Sequence, residues 1–460
     1  MMNSCFLLFA LLAVASCESE SGLPGHLKPL GSHQKPIGGI PVTGKFPSPW
    51  VFHQEFVKNG QPLVMKKVLE TDNIPAYRLW TDQYLRENFG QTDVEVEIGK
   101  KENRGSGVDQ MTMSKFLHLY QTQNIYQVFD LTPDMKKDMN LPLSLQCGGF
   151  QNLLETVVMW FSSGGTKSHL HRDLLDNINC LLDGKKDILL IDKKYGDMVM
   201  ADGWKEDGGY STVDVESVDM TKFPQLHNVP YSRITISKGD CLFIPYKWLH
   251  FVDSKPGRNL AVNFWFHHLP WFNSSECDDV DPFQNSSVPL STIKKADPEM
   301  ESRMLFLELF GDVMSFYKRS FSDYIQREIP SITKEDVGSL NEVFSLIDTD
   351  GNKVLTWEEL MTMDIESAID NYPKLFTKII SNITGGVTNF EEAEHESVNI
   401  GEDPDPITVD VSESEKVEDG RSQSSIKTPD DLVKERLIEL ADDGNLIMEE
   451  EPVRNQHEEL

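Results

Sequence analysis

Lys238-Gly239-Asp240-Cys241-Leu242-Phe243-Ile244-Pro245-Tyr246-Lys247-Trp248-Leu249-His250 decides how this chain of 460 residues folds. A Gly-Asp turn opens it, an apolar run follows, a proline ends the run, and His250 comes just past the strand end. An apolar run this short between turn signals reads as a buried strand. Working outward, similar runs recur at Pro62 to Lys66, Val94 to Ile98, Thr156 to Phe161, Ile178 to Leu182, Ile188 to Ile191, Ile234 to Ser237 and Leu260 to Phe266. Short strands punctuated by Gly and Asp predict an all-β sandwich or barrel, with helices near Thr81 to Asn88 and Met113 to Thr122.

Two further segments bear on chemistry. The first is Gly164-Gly165-Thr166-Lys167-Ser168-His169-Leu170-His171-Arg172-Asp173. Side chains alternate along a strand, so His171 and Asp173 project to one side and can share a ligand. The second, Asn259 to Phe266, is an apolar strand with one polar residue, Asn263, inserted. Two imidazoles and one carboxylate on a metal leave open positions, which suits non-haem Fe(II) working with O2. A His-x-Asp pair alone would equally be a surface charge pair in a chain with 12 His and 74 acidic residues. The order and spacing of the three segments carry the reading.

Together the segments resemble the JmjC (cupin-like) family of Fe(II)- and 2-oxoglutarate-dependent oxygenases, in its branch of small protein hydroxylases. The matching parts are Thr166 to Asp173 with Asn177, Gly184 and Lys186, then Gly239-Asp240-x-x-Phe243-Ile244-Pro245-x-x-Trp248-x-His250, then Asn263-Phe264-Trp265. The resemblance implies a double-stranded β-helix, a mainly β jelly-roll barrel over residues 47–272, with His171, Asp173 and His250 holding iron at its mouth. It implies that Lys186 pairs with the distal carboxylate of 2-oxoglutarate. Tyr126 and Ser168 are nominated as donors to that carboxylate, with Thr166 competing with Ser168. Asn177 and Asn263 resemble the family's pocket amides, although either would serve as a satisfied interior asparagine. Strand parity separates Lys186 from its neighbour, since Lys186 shares a face with Ile188 and Leu190, and Lys185 with Asp187. Trp160, Trp248, Trp265 and Phe243 read as barrel core, and Trp248 could in addition pack beside the His250 ring. The implied reaction turns 2-oxoglutarate and O2 into succinate and CO2 while a C–H bond is hydroxylated, most simply on a protein side chain. The loops that would choose the substrate, such as Tyr195 to Pro230, carry no readable code.

A different chemistry is written at Asp348-Thr349-Asp350-Gly351-Asn352-Lys353-Val354-Leu355-Thr356-Trp357-Glu358-Glu359, which resembles an EF-hand loop. Asp348, Asp350 and Asn352 would offer side-chain oxygens to Ca2+, Val354 its carbonyl, and Glu359 both carboxylate oxygens. Lys353 stands where the sharp turn wants Gly, so a positive φ is expected there at a cost of about 1 kcal/mol or more. Such loops come in pairs, and the nearest partner in sequence, Asp442 to Glu449, has the wrong length.

The remaining chain divides by composition. Residues 1–17 read as a secretory leader, with an apolar stretch from Cys5 to Ala15 and small residues before the cut. Residues 18–46 read as an extended lead-in, 273–300 as a linker, and 301–385 as a separate helical region. In that region Phe306, Phe310, Val313, Tyr317, Phe321 and Tyr324 recur every three or four residues, predicting one amphipathic helix and a surface for a homodimer. Residues 386–460 read as a largely disordered tail, and from Glu391 to Leu460 they hold 23 acidic against 6 basic residues. They end in His457-Glu458-Glu459-Leu460, close to the Lys/His-Asp-Glu-Leu signal read by the retrieval receptor of the endoplasmic reticulum. Leader and tail together predict life in that lumen, acting on a protein substrate of the secretory pathway, and disfavour chromatin demethylation. Sequons at Asn273, Asn285 and Asn382 are compatible with it. A net charge of −31 speaks against nucleic-acid partners, and no apolar window is long enough for a membrane span. Behind the leader stand Cys147, Cys180, Cys241 and Cys277. Cys180 and Cys241 read as buried small hydrophobes, with one disulfide possible and its pairing unassignable. The alternatives from other classes are a calcium-binding adaptor or buffer with an inactive barrel, or a sugar-binding cupin.

Overall fold

The computed structural model describes residues 23–99, 107–200, 210–278, 287–294, 298–310, 316–383 and 447–448. The leader, the sequon at Asn285, the terminal His457 to Leu460, and all of Asp442 to Glu449 except 447–448 lie outside the described residues.

Two facing sheets form the core. Their strands are β1 (Pro41–Thr43), β2 (Leu63–Met65), β3 (Asp93–Ile98), β4 (Val108–Thr112), β5 (Ile125–Asp130), β6 (Leu154–Ser162), β7 (Thr166–Lys167), β8 (His171–Arg172), β9 (Asp176–Asp183), β10 (Lys185–Ile191), β11 (Ser232–Ser237), β12 (Cys241–Ile244), β13 (Leu249–Ser254) and β14 (Asn259–Phe266). The larger sheet runs β1-β2-β12-β9-β14-β6-β5-β3-β4, with Ile447–Met448 along the outer side of β1. The smaller runs β11-β10-β13, with β7 and β8 both on the free side of β13. This is the mainly β barrel expected of a cupin or jelly roll.

Alternation sorts each strand. In β9, Leu181 faces the smaller sheet, while Ile178, Cys180 and Leu182 face outward; in β14, Ala261 faces in and Leu260, Val262, Phe264 and Phe266 face out. Leu181, Ala261, Leu242 and Ile244 meet Ile188, Leu190, Ile234 and Ile236 between the sheets. The outer face is covered by the helical stretch from Pro49 to Val57, by α1 (Asp82–Phe89) and by α2 (Met113–Leu119). Phe243 belongs to this outer layer, its ring edge-on to Phe52 at 4.8 Å.

The cysteine reading is corrected. All four form disulfides, Cys147–Cys277 and Cys180–Cys241. Cys180 and Cys241 are buried as expected, but antiparallel register sets them directly opposite each other on β9 and β12, with Cα atoms 4.1 Å apart. The Cys147–Cys277 bond closes 130 residues of chain. Replacing that pair by serines is expected to lower unfolding free energy by about 2–5 kcal/mol, measured by urea titration against the intact protein.

The lead-in is ordered where it is described. Leu27 N–H donates to the Val218 carbonyl, Leu30 N–H to Val215, and the Tyr231 hydroxyl to the carbonyls of Gly31 and Gln34. Leu30 is buried among Val215, Val218 and Tyr231. These residues strap the segment 215–231, whose apolar side chains gave no sequence signal because their partners lie some 190 positions away.

Beyond the barrel come α3 (Pro298–Glu308), α4 (Lys318–Glu328), α5 (Val337–Ile347), α6 (Trp357–Thr362), α7 (Ile365–Asn371) and α8 (Pro373–Ile383). The single helix predicted from Phe306 to Tyr324 is instead two helices flanking β15 (Phe316–Tyr317), which pairs antiparallel with β16 (Val354–Leu355). Each helix buries its own part of the stripe, Phe306 in α3 and Phe321 in α4, while Tyr317 between them is exposed and Val313 lies outside the described residues. Phe306 packs on Phe376, Phe310 on Trp357, and Phe321 on Phe344. Phe306, Phe310 and Phe321 are therefore covered within the chain rather than free for the homodimer surface expected from sequence, whereas Tyr317 is exposed. The ladder thus pairs the loop at Asp348 with the upstream strand between α3 and α4. Among the described residues no helix is long and apolar enough to cross a membrane.

Candidate metal centre and adjoining pocket

β8 and β13 lie antiparallel with His171 opposite His250, which sets the two rings 4.0 Å apart between centroids. Asp173, two residues on, brings Oδ1 to 3.8 Å from His171 Nε2 and Oδ2 to 3.5 Å from His250 Nε2. One donor atom from each residue lies within 4.8 Å of the others. The ring tautomers follow from the backbone. His171 Nδ1 donates to the His169 carbonyl at 2.8 Å, and His250 Nδ1 to the Trp248 carbonyl at 3.1 Å. Each Nε2 is then left as a lone pair facing Asp173. Two neutral imidazoles and one carboxylate fit Fe(II) with coordination positions to spare. The expected aid from Trp248 thus comes through its main chain, while its ring packs between the sheets.

A cavity opens beside these residues, and all nine side chains nominated for iron or 2-oxoglutarate line it. Lys186, Ser254 and Thr166 stand opposite one another across β10, β13 and β7. Lys186 is only 4% exposed, and its Nζ donates to Ser254 Oγ at 2.9 Å, whereas Lys185 points to solvent. Four residues of β13, about 13 Å along a strand, separate this row from His250. The Ser168 hydroxyl donates to the His169 carbonyl and accepts from Val252 N–H. Its proton is engaged by backbone, so Thr166 is the better donor towards a ligand beside Lys186. Tyr126 lies on the opposite wall, and burial, then the Glu97 carboxylate, raise its hydroxyl above the usual tyrosine pKa. It remains a donor throughout the physiological range. On the inner face of the larger sheet the amides form a relay. Asn179 Nδ2 donates to Asn263 Oδ1 at 2.6 Å, Asn263 Nδ2 to Asn177 Oδ1 at 3.1 Å, and Asn177 Nδ2 to Asp173 Oδ2 at 3.3 Å.

Trp160 and Trp265, read from sequence as core, wall this cavity. The sequence reading missed Ser254, Asn179 and Tyr210. Parity could have found the first two, because Ser254 lies four residues beyond His250 and Asn179 two beyond Asn177. Tyr210 comes from the unreadable loop, and its ring stacks on His171 at 5.6 Å.

The cupin-like domain family matches residues 49–271. This segment, just under half of the chain, is similar to that family. The chain is similar to lysine-specific demethylase 8 of Xenopus tropicalis, at 28% identity over 224 residues, 47% of this chain and 50% of that protein. It is similar to the human bifunctional peptidase and (3S)-lysyl hydroxylase, at 21% identity over 267 residues, 49% of this chain and 84% of that protein. A third relative is human tRNA wybutosine-synthesizing protein 5, at 23% identity over 316 residues, 62% of this chain and 94% of that protein. The chain spans about half the length of the lysine-specific demethylases it matches. These likenesses support a place for the cupin-like domain in the JmjC family.

Outside the cupin-like domain, the loop between α5 and α6 gathers the carboxylates of Asp348, Asp350 and Glu359 to within 4.8 Å of one another. Asn352 Oδ1 accepts from Val354 N–H, and Val354 begins β16. Glu359 accepts from the N–H groups of Thr349 and Thr356, and the second bond makes it the third-position partner in the capping box that Thr356 forms at the start of α6. Lys353 has φ +68°, the left-handed conformation expected where Gly is usual, and its N–H points to the Asp348 carboxylate.

Proposed function

We propose that the chain is an Fe(II)- and 2-oxoglutarate-dependent dioxygenase of the endoplasmic reticulum lumen that hydroxylates a side chain of a secretory-pathway protein. The observation that carries this reading is the convergence of His171, Asp173 and His250 at one end of a cavity with buried Lys186 at the other. Fe(II) held by the triad, with 2-oxoglutarate and O2, supplies the oxidation: the keto acid becomes succinate and CO2, and one oxygen atom enters a substrate C–H bond. The protein's part is to bind and orient. Lys186 balances the distal carboxylate of the keto acid, Thr166 and Tyr126 donate to it, and the Asn177–Asn263–Asn179 relay fixes the second oxygen of Asp173. Trp160 and Trp265 exclude water from the wall, and Tyr210 narrows the mouth beside His171.

The lumenal compartment draws support from the two disulfides, since paired buried cysteines persist in oxidising surroundings. It agrees with the leader-like and retrieval-like sequences, through which the retrieval receptor would be a partner. Comparing secretory-pathway proteins by mass spectrometry, with active and inactivated enzyme, tests the substrate class. Gain of one oxygen atom on a side chain only with active enzyme is expected, and an unchanged lumenal proteome would reject protein hydroxylation.

The loop at Asp348 is proposed to bind Ca2+ through Asp348, Asp350, Asn352, Glu359 and the Val354 carbonyl. At free Ca2+ one hundred times the dissociation constant, binding would stabilise the region by about 2.7 kcal/mol. Differential scanning calorimetry should therefore show an upward shift with Ca2+ that Glu359→Gln removes; a shift of equal size in that variant would reject the site.

A further inference from the structure

Asp176 opens β9 three residues after Asp173, yet it does not line the cavity, because parity turns it away from Asn177. It is fully buried, and an ionised carboxylate in such a place needs strong partners. Both oxygens have one. Oδ1 accepts from Tyr246 N–H at 2.8 Å, and Oδ2 from Nδ1 of His268, itself buried, at 2.7 Å.

Tyr246 stands in the turn Pro245–Trp248, which leads into β13 and His250. The next residue, Lys247, has φ +63°, a conformation that residues with side chains keep only when their surroundings impose it. Its N–H donates to the carbonyl of Asp173 at 2.9 Å. Two successive amides of the turn are thus tied down, one to the Asp176 carboxylate and one to the main chain of a metal ligand. One residue later, the Trp248 carbonyl accepts from His250 Nδ1 and aims its ring. The aim of His250 and the placement of Asp173 therefore pass through the same short turn.

We propose that Asp176, backed by His268, is a positioning residue for the metal centre: it locks the turn that orients His250 and holds it against Asp173. This rests on the reading of His171, Asp173 and His250 as metal ligands.

The test uses full-length, disulfide-intact protein stripped of metal, with saturating Ca2+ to fill the loop at Asp348, titrated anaerobically with Co(II) as a visible stand-in for Fe(II). Wild type should take up one Co(II) at the triad. Asp176→Ala should bind it about 10–100-fold more weakly, as removal of outer-shell partners does, with shifted absorption bands. Asp176→Asn, whose amide oxygen still accepts from Tyr246 N–H, should stay close to wild type in both. A residue that merely props the fold would lower the metal-free melting temperature while leaving Co(II) affinity and band positions alone, and that result for Asp176→Ala would overturn the proposal. If Asp176→Ala does not fold, Asp176→Ser, whose hydroxyl is too short to reach both donors, replaces it with the same expected loss. If wild type itself takes up no Co(II), the metal centre falls, and the positioning role with it.

Discussion

Asp173→Ala and His171→Ala are each expected to reduce succinate formation from 2-oxoglutarate to background, a loss of about 10³-fold or more, as when one member of a catalytic unit is removed. The geometry gives the reason. Asp173 faces both Nε2 atoms at 3.5 and 3.8 Å, so without it two imidazoles remain with no anion to complete the grip. Loss of His171 leaves only Asp173 and His250, 3.5 Å apart, and the cavity lining holds no further His, Asp or Glu to replace the missing donor. The assay is anaerobic loading with Fe(II), then O2 and measurement of succinate. Turnover by either variant at the wild-type rate would reject the triad and, with it, the enzymatic reading.

The second large effect concerns Lys186. Lys186→Met should raise the KM for 2-oxoglutarate by about 10²–10³-fold, because stranding one partner of a buried ion pair costs about 3–5 kcal/mol and each 1.4 kcal/mol is tenfold. Fe(II) binding should survive, since Lys186 lies four residues of β13 away from the row of His250. Lys185→Met is the control, being exposed on the other face of the same strand. An unchanged KM in Lys186→Met would place the keto acid elsewhere.

How much of this was legible follows from how local each signal is. The strand at Cys241 to Ile244, its Gly-Asp entry and proline exit, and the alternation that turns Lys186 inward are properties of a few adjacent residues, and the chain obeys them. The common side of His171 and Asp173 is equally local. Its meeting with His250 needs strand register across some 80 residues, which only the likeness to a known arrangement supplied. Cys180 and Cys241 show the same limit: burial was readable from apolar neighbours, pairing was not. The helix expected through Tyr317 failed for another reason. A stripe of apolar residues every three or four positions reports which face is buried, not whether the backbone is continuous beneath it. Tyr210 was invisible because its stacking on His171 is made by a loop whose course no periodicity encodes.

The strap formed by the lead-in bears on how the molecule is made. Its hydrogen bond from Leu27 to Val218 and that from Tyr231 to Gly31 join parts of the chain synthesised far apart in time. At about 5–20 residues per second, the first partner leaves the ribosome roughly 10–40 s before the second exists. During that interval the strap's hydrogen bonds lack one partner each, and the apolar cluster around Leu30, which includes Val215, Val218 and Tyr231, stays incomplete until translation has passed Tyr231.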